Sequence, residues 1–456
     1  MAAMARRRDH GFDSRMTSDE NRSLWAKDQL PANPPIDSDM DLDVAIVGAG
    51  YTGLSSAYHI KRLHPNMEVA IFEAKRAGHG GSGRNGGMLL TQPAKEYMAF
   101  IHPETHRLTY DATAKCIREL IDLMKEEGYG PDIEQHGSLM VNYRESGAEK
   151  SKEYVKKANS LGVPIEWWDR ERVKGEIGSS VYAGGLFDPS AAEANPMRLV
   201  CALKKATDRT GVVIYENSPV TEVTRGRPLR LIVKGEGGAT HKVSADALVL
   251  ATDAYSSKLG FLARNIVVLH TELAATKPIG KDGFEKLGWN SRIPFHDDRF
   301  LLYHLGSTKD DRITIGAGNV EYFFNDGVVY TKDYGRRENA LKKELTRIFP
   351  SIRGPEFEYV WSGALSFSPD TSQSVGIIGK DRNIFYGTSY TGHGDTLAFL
   401  FGKIIADMYS GKDAEWKTMP FYQNPLPRYL PPEPLRYVFV KGYLRYLRFR
   451  DSVAGK

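Results

Sequence analysis

The chain of 456 residues has little cysteine: only Cys116 and Cys201 occur, far apart and on helix-like segments. Two thiols with this separation provide neither a disulfide framework nor the spacing of a metal site. We therefore expect no metal, a reducing compartment, and two cysteines that pack in the core.

The chain also lacks an apolar run of about 20 residues, the length that a membrane-spanning helix requires. Its N-terminus carries Arg6, Arg7 and Arg8 without an apolar stretch behind them, which argues against a signal peptide. The net charge of +4 is modest and does not indicate a nucleic-acid partner. Together these absences predict a cytoplasmic protein.

One segment does carry an excess of positive charge. From Leu435 to Arg450 the chain mixes bulky apolar residues with cations, and no acidic residue follows before Asp451. Such a basic amphipathic segment suits peripheral contact with the inner face of an anionic membrane. It also suits a terminal helix docked on the protein with its arginines reaching solvent, and the sequence slightly favours docking.

Glycine is placed in a specific pattern near the start of the chain. The strand-like run 43–47 leads into Gly48-Ala-Gly-Tyr-Thr-Gly53, and a helix-like segment follows at 54–63. A second apolar run, 69–72, ends on Glu73, about 20 residues after the last glycine, as in a dinucleotide-binding βαβ unit.

Each part of such a unit has a physical task here. Gly48 allows the tight turn, Gly50 lets the backbone approach a pyrophosphate, and Gly53 lets helix and strand pack closely. The helix N-terminus faces the phosphate charge, and Glu73 is placed to accept hydrogen bonds from a ribose diol.

The segment Gly78-His-Gly-Gly-Ser-Gly-Arg-Asn-Gly-Gly87 is too rich in glycine for a helix or a buried strand. Arg84 is its one fixed cation, and Asn85 adds a side chain that both donates and accepts hydrogen bonds. A flexible surface loop is one interpretation. Directly after a nucleotide-binding unit, a loop that follows a pyrophosphate and a flavin is the favoured one.

With these motifs the chain resembles the D-amino-acid oxidase and sarcosine oxidase superfamily of FAD-dependent amine oxidoreductases. The run Ser82–Gly87 after the first glycine motif is most similar to the γ-glutamylputrescine oxidoreductase branch. The resemblance covers roughly residues 40–412. Later segments that share it are Leu248–Tyr255, Trp361–Gly363, Ser368–Asp370, Gly376–Gly379 and Phe385–Gly394.

The resemblance implies an α/β chain (α+β overall): a Rossmann-type FAD-binding domain with a parallel sheet, and a substrate domain with a mostly antiparallel sheet. The expected segments are an irregular lead-in at 1–40; a discontinuous FAD domain at 41–95, 196–265 and 360–412; a substrate domain at 96–195 and 266–359; and a proline-rich extension with the basic aromatic tail at 413–456.

The motifs and the resemblance also give an expected set of FAD contacts, in which the backbone at Val220 meets the adenine. Gly363 stands where covalent family members have a cysteine, so the resemblance implies non-covalent FAD. The expected contacts are Gly48, Gly50, Tyr51, Thr52, Gly53, Glu73, Ala74, Lys75, Ser82, Gly83, Arg84, Asn85, Gly86, Gly87, Val220, Ala251, Thr252, Gly363, Gly392, His393, Gly394, Asp395 and Thr396.

Amine oxidation of this kind transfers a hydride from the carbon beside nitrogen to flavin N5, and a dry pocket favours the neutral amine that this needs. The turn Gly392–Gly394, at the start of a helix, suits the negative charge of reduced flavin; His393 is equally a contact or a turn residue. The candidate catalytic residues are Arg84, His393, Trp361 and Tyr255. His270 and Tyr303 are further pocket candidates, and for Tyr255, His270, Tyr303 and Trp361 ordinary core packing is at least as good an interpretation, with Trp361 the strongest.

Two departures from the family pattern bear on the substrate. Thr396 stands where sarcosine oxidases have a carboxylate-gripping lysine, and Gly87 stands where a carboxylate-binding arginine follows the loop arginine. We therefore expect a primary or secondary amine without a carboxylate beside its nitrogen, such as a γ-glutamylputrescine-like ω-amine, oxidised to an imine that water converts to an aldehyde or ketone. Oxygen or a membrane quinone would take the electrons.

Two alternatives stay open. A D-amino-acid or glycine oxidase or dehydrogenase would need a carboxylate-binding arginine from the substrate domain, such as Arg299 or Arg312. A non-catalytic dinucleotide-fold binding protein, as the Rab escort proteins are, would need neither the loop 78–87 nor the Gly392–Gly394 turn, and the presence of both argues against it.

Overall fold

The computed structural model of the protein describes residues 23–91, 103–318, 320–328, 335–426 and 429–453. The helices are α1 Tyr51–Leu63, α2 Pro103–Glu126, α3 Glu145–Ser160, α4 Arg170–Ile177, α5 Pro196–Arg209, α6 Gly280–Leu287, α7 Gly335–Ile348, α8 Gly394–Tyr409 and α9 Leu435–Val453. The strands are β1 Met40–Val47, β2 Val69–Phe72, β3 Met88–Leu89, β4 Ile133–Glu134, β5 Ser138–Asn142, β6 Glu166–Asp169, β7 Gly184–Asp188, β8 Ala192–Ala194, β9 Val213–Tyr215, β10 Val220–Thr224, β11 Leu229–Lys234, β12 Thr240–Leu250, β13 Val267–Thr276, β14 Phe295–Asp297, β15 Tyr303–Ser307, β16 Ile313–Ala317, β17 Glu321–Tyr322, β18 Phe357–Phe367, β19 Ser374–Ile378 and β20 Ile384–Thr388.

The first sheet is built around the glycine motif. Its order is β10-β11-β12-β1-β2-β9, with β20 beside β12 and β19 beside β20. The centre is parallel, since β1 pairs in parallel with β2 and β12, β2 with β9, and β12 with β20. Every residue of β2 is buried, as expected of a parallel strand covered on both faces. Helix α1 packs against α5 and α8, and these helices cover one of those faces.

The second sheet is mostly antiparallel. Its order is β17-β13-β16-β15-β14-β5-β7-β6, with β18 also paired to β13. The exception is the parallel pair β14 and β5. A separate core, which includes Leu139, Phe295 and Ile315, lies beneath this sheet. A parallel sheet beside an antiparallel one confirms the predicted fold class.

Strand β18 connects the two halves of the molecule. It pairs with β13 over most of its length, from Phe357 to Phe367, and so belongs to the second sheet. Its residues Trp361–Gly363 nevertheless carry one of the flavin-region motifs. The domain boundaries given above stay predictions, because one strand serves both halves.

The polar lead-in is attached to the body from Ser23 onward, and residues 1–22, with Arg6, Arg7 and Arg8, lie outside the described residues. Leu24–Asp28 forms a short 3-10 helix. Its Trp25 is buried and meets Trp361 edge to face, with ring centroids 6.4 Å apart. The part of the lead-in that follows Ser23 therefore packs on the body of the protein.

The basic tail forms helix α9, which docks on the second sheet through Val440, Leu444 and Leu447. None of the helices in the described ranges combines the length and the hydropathy needed to cross a bilayer. The same ranges contain no cluster of three or more His, Cys, Asp or Glu side chains placed to hold a metal ion.

Candidate active site

A cavity of about 500 Å³ lies between the two sheets. One wall comes from the carboxyl ends of β1, β2 and β12 and from the glycine-rich loop after β2. The second sheet supplies the opposite wall, with β14, β15 and β16 among its contributors. Ligands of open α/β sheets bind outside the carboxyl ends of the strands, so this cavity is the candidate active site.

The glycine motif shapes the turn at the end of β1 by leaving no room for side chains. Gly48 has φ +104°, and a Cβ there would lie 2.7 Å from the carbonyl oxygen of Ala251. A Cβ on Gly53 would lie 1.9 Å from the carbonyl oxygen of Gly48. Both contacts are with backbone atoms, which cannot move aside, so the turn and the close approach of α1 require glycine.

Gly50 lines the cavity at the N-terminus of α1. Ser82, from the glycine-rich loop, accepts a hydrogen bond on Oγ from the Tyr51 N–H at 3.0 Å. The N-cap residue Gly50 has no side chain of its own to cap α1, so the amides of the first turn that Ser82 does not engage are available to an anion in the cavity.

Glu73 stands at the end of β2 and reaches the same cavity. Its carboxylate accepts hydrogen bonds from the Ala49 and Lys75 N–H groups, each at 2.9 Å. Burial raises its pKa, and these bonds act in the opposite direction. Each carboxylate oxygen keeps a lone pair for a further donor, as a ribose hydroxyl would supply.

The glycine-rich loop is held in place by hydrogen bonds of Asn85. Asn85 donates from Nδ2 to the carbonyl oxygens of Gly81 and Ser82 at 3.2 and 3.1 Å, and it accepts on Oδ1 from the Gly87 N–H at 2.8 Å. The Asn85 carbonyl oxygen accepts from Trp25 Nε1 at 3.0 Å. Hydrogen bonding of this density is unlike that of a flexible surface loop.

Arg84 faces the cavity with its guanidinium held by backbone carbonyls. Nε donates to His79 O at 2.9 Å and Nη1 to Ser362 O at 3.2 Å. The Arg84 carbonyl oxygen accepts from Trp361 Nε1 at 2.8 Å. The cation is thereby fixed in orientation on the wall shared by the loop and β18.

The opposite wall carries two histidines that sequence reasoning missed, His296 and His304. They are cross-strand partners in β14 and β15, and both line the cavity. Burial, which disfavours the imidazolium, lowers the pKa of His296 to about 3 and that of His304 to about 4. Both are therefore neutral at physiological pH, and His296 Nδ1 has no hydrogen-bond partner among the described residues.

The turn before α8 closes the cavity near these histidines. The rings of His393 and His296 lie 6.3 Å apart, edge to face, and burial lowers the pKa of His393. Asp395, in the first turn of α8, lines the cavity, and burial raises its pKa to about 8. At neutral pH Asp395 is protonated and can donate a hydrogen bond to a ligand.

The structure brings most of the expected residues to this one cavity. Those that line it are Gly48, Gly50, Tyr51, Thr52, Glu73, Ala74, Lys75, Ser82, Arg84, Asn85, Gly86, Val220, Ala251, Thr252, Tyr255, Gly363, Gly392, His393, Gly394 and Asp395. Contact with a ligand stays a prediction for each of them.

Five expected residues stand behind the wall instead. Gly53 packs as described above, and a Cβ on Gly83 or Gly87 would lie 2.3 or 2.2 Å from a backbone oxygen. Thr396 is buried within α8, and Trp361, which is fully buried, supports Arg84 from behind. These residues shape the wall rather than forming its surface.

The remaining pocket candidates lie outside the cavity lining. His270 is buried, with Nε2 3.0 Å from Gly327 O, and Tyr303 borders a separate cavity. That second cavity, about 330 Å³ in volume, also includes Arg299. For His270 and Tyr303, packing within the second half of the molecule is what the geometry supports.

FAD fits the residues that are present. The helix N-termini at Gly50 and His393, where the N-cap residue itself makes no side-chain capping bond, both meet the cavity. They suit a pyrophosphate and the negative charge of a reduced ring. Glu73 is placed for a ribose, and the glycines between them leave the backbone open to a large flat ligand.

Comparison with known proteins agrees with this geometry. The family described as FAD dependent oxidoreductase (DAO) matches residues 43–408. The chain is similar to gamma-glutamylputrescine oxidoreductase of Escherichia coli strain K12, with 28% identity over 90% of this chain and 93% of the relative. It is also similar to the probable oxidoreductase OrdL of Haemophilus influenzae, with 24% identity over 83% of this chain and 85% of the relative.

Solved structures share the fold. Glycine oxidase from Geobacillus kaustophilus superposes with a TM-score of 0.68 at 20% identity, covering 84% of this chain and 99% of that one. L-proline dehydrogenase from P. horikoshii superposes with a TM-score of 0.66 at 19% identity, covering 90% of this chain and 99% of that one.

Replacing Gly50 with valine is expected to yield colourless protein. The new Cβ would lie 2.9 Å from Ser82 Oγ, and the branched side chain would occupy the space that the motif reserves for a pyrophosphate. Flavin absorbance at about 450 nm, relative to protein absorbance, measures the loss. Gly175→Val is the matched control, because nothing lies within 4 Å of a Cβ on this helical glycine; equal flavin content in both variants would contradict the assignment.

Proposed function

Because the chain belongs to the DAO family of FAD-dependent oxidoreductases, we propose that it oxidises an amine that carries no carboxylate beside its nitrogen, with FAD held non-covalently. Bound FAD would supply the acceptor for the hydride that leaves the carbon next to nitrogen. The resulting imine is hydrolysed to an aldehyde or ketone. A γ-glutamylputrescine-like ω-amine is the proposed substrate class.

The composition of the substrate-side wall carries the proposal. The described residues of the second sheet that line the cavity are apolar or neutral, with His296 and His304 as their main polar groups, and no lysine or arginine is among them. A wall without a cation offers no partner for a substrate carboxylate. The neutral imidazoles can instead accept a hydrogen bond from an amine N–H.

The arginines that an amino-acid oxidase would need are engaged elsewhere. Arg299 forms ion pairs with Asp297 and Glu344 and lies outside the cavity lining. Its pKa is raised by these two carboxylates although burial acts in the opposite direction. Releasing it toward a substrate would leave two buried carboxylates without their shared cation.

Arg312 is held in a similar way, by Asp310, Glu358 and a backbone carbonyl. Nε donates to Asp310 at 2.7 Å, and Nη1 donates to Glu358 at 2.6 Å and to Thr276 O at 2.8 Å. It too lies outside the cavity lining. Neither of the two arginines that a D-amino-acid or glycine oxidase was expected to use therefore lines the cavity.

The protein's own groups have distinct tasks in this proposal. The dry wall formed by Leu301, Leu302 and the neutral histidines disfavours the ammonium ion, so that the amine is bound neutral. Arg84 and the N-terminus of α8 stabilise negative charge gained by the cofactor. Asp395, held protonated by burial, adds a neutral hydrogen-bond donor beside them.

Non-covalent attachment rests on the residues near the cavity. Gly363 lines it at the position where covalent relatives have a cysteine, and both Cys116 and Cys201 are buried outside its lining. Acid precipitation is expected to release all the flavin into the supernatant. Flavin that stays with the denatured protein would refute the non-covalent assignment.

A substrate panel tests the amine class. We expect ω-amines and polyamine conjugates to reduce the bound flavin at least about tenfold faster than sarcosine, glycine or D-alanine, because only the latter need a carboxylate partner. Stopped-flow absorbance gives the reduction rates without an acceptor, and turnover is then measured with oxygen and with an artificial quinone. A clear preference for small α-amino acids would contradict the proposal.

Arg84→Ala is expected to slow flavin reduction about tenfold, equivalent to a net loss of about 1–2 kcal/mol of charge stabilisation. The flavin potential should fall in parallel, because the cation favours the reduced, anionic state. Arg84→Lys should restore charge but not the oriented hydrogen bonds to His79 and Ser362. The exposed Arg62→Ala is the control, and an unchanged rate and potential in Arg84→Ala would leave Arg84 as a loop residue only.

A further inference from the structure

Helix α9 is bound to the protein by one face. Along that face Val440, Leu444 and Leu447 pack against a cluster that includes Leu301 and Val320 of the second half. The buried Arg436 fixes the start of the helix. Its Nη1 pairs with Asp326 at 2.5 Å, and Nη2 donates to Ala263 O at 2.8 Å. The helix is therefore a fixed part of the surface.

The opposite face of α9 is apolar and open to solvent. Its large apolar residues are each at least 51% exposed, and most recur at spacings of three or four, as one face of a helix requires. They are Leu435, Val438, Phe439, Tyr443, Tyr446, Phe449 and Val453. At 1.5 Å per residue this stripe runs about 28 Å, far more than the isolated apolar residues of an ordinary surface.

Cations border this stripe, while the nearby acids are turned toward the protein. Arg445 and Arg450 are exposed on α9, and the Arg450 guanidinium lies 4.6 Å from the ring centre of Phe300. Glu433 accepts hydrogen bonds from Tyr322 and from the backbone of Asn325 and Tyr437.

Asp451, near the end of α9, accepts from the backbone N–H groups of Phe300 and Leu301. The helix thus presents an apolar stripe and positive charge outward.

We propose that the outer face of α9 binds the surface of an anionic membrane, with its aromatic and aliphatic side chains in the interfacial layer and its arginines on the lipid phosphates. Apolar area and basic charge on one face are the two requirements of an interfacial helix. A second copy of the chain is the less suitable occupant. A symmetric contact through this face would bring Arg445 and Arg450 of both copies together without acids to neutralise them.

The docking surface adjoins the candidate active site. Phe300 is both exposed and part of the cavity lining, so the cavity opens beside it, under the C-terminal end of α9. A membrane on α9 would place this opening next to the lipid. A lipid-soluble electron acceptor would then reach the cavity from the membrane, a consequence that rests on the proposed function whereas the docking does not.

Vesicle flotation with the purified full-length protein tests the docking independently of activity. We expect the protein to float with vesicles of phosphatidylcholine mixed with phosphatidylglycerol and to stay behind with phosphatidylcholine alone. The double variant Phe439→Gln/Phe449→Gln should lose at least about tenfold in partitioning, and Arg445→Gln about fivefold. All three substituted residues are exposed, so unchanged flavin content and circular dichroism are expected.

Leu108→Gln is the matched control, since it removes an exposed apolar residue from α2 and should leave flotation unchanged. Absence of flotation, or flotation that neither α9 variant weakens, would overturn the proposal. Light scattering after gel filtration tests whether a second copy of the chain occupies this face. A wild-type dimer that becomes a monomer in the double variant, together with no lipid binding, would assign this face to self-association instead.

Discussion

The site depends on the hydrogen bonds that fix a loop of glycines. A segment with so few side chains cannot be positioned by packing, and its backbone freedom would cost conformational entropy on ordering. The described structure solves this with a small number of directional bonds: Asn85 binds within the loop, and Trp361 and Ser362 hold Arg84 from β18. Because β18 belongs to the second sheet, the same bonds that order the loop also hold the two halves of the cavity in register.

The wall of the cavity that is built from the glycine motif could be predicted from the sequence, because its parts follow local rules. The turn at Gly48, the helix that begins at Tyr51 and the acid at Glu73 follow one another along the chain, and each obeys a local steric rule. Gly53 is an example, since its missing Cβ is required by a carbonyl only five residues earlier. Spacing alone was therefore sufficient there.

The wall supplied by the second sheet depends on contacts between distant segments of the chain, and fewer of its residues were predicted from the sequence. His296 and His304 become neighbours only through the register of β14 and β15, which no local pattern specifies. The presence of a histidine in each of two short strands that lie close together in sequence was the one available signal. Trp361 was predicted to lie near the cavity because it begins a motif of the flavin region. Whether its indole faces the cavity or the core is decided by tertiary packing against Trp25.

A buried carboxylate that no sequence motif indicated binds the lead-in to the rest of the protein. Glu216 pairs with Lys204 at 2.9 Å and accepts from the N–H groups of Ala77 and Asn33. Together with the bond from Trp25 to Asn85, it makes the early residues of the chain partners of segments that are synthesised much later. The contacts of the lead-in are complete only when the loop with Asn85, the segment after β9 and Trp361 are all in place. Completion of the cofactor site therefore needs the late part of the chain as well as the early part. The bond from Trp361 Nε1 to Arg84 O joins residues 277 positions apart in sequence, and a chain that stopped before β18 would leave the loop 78–87 without it.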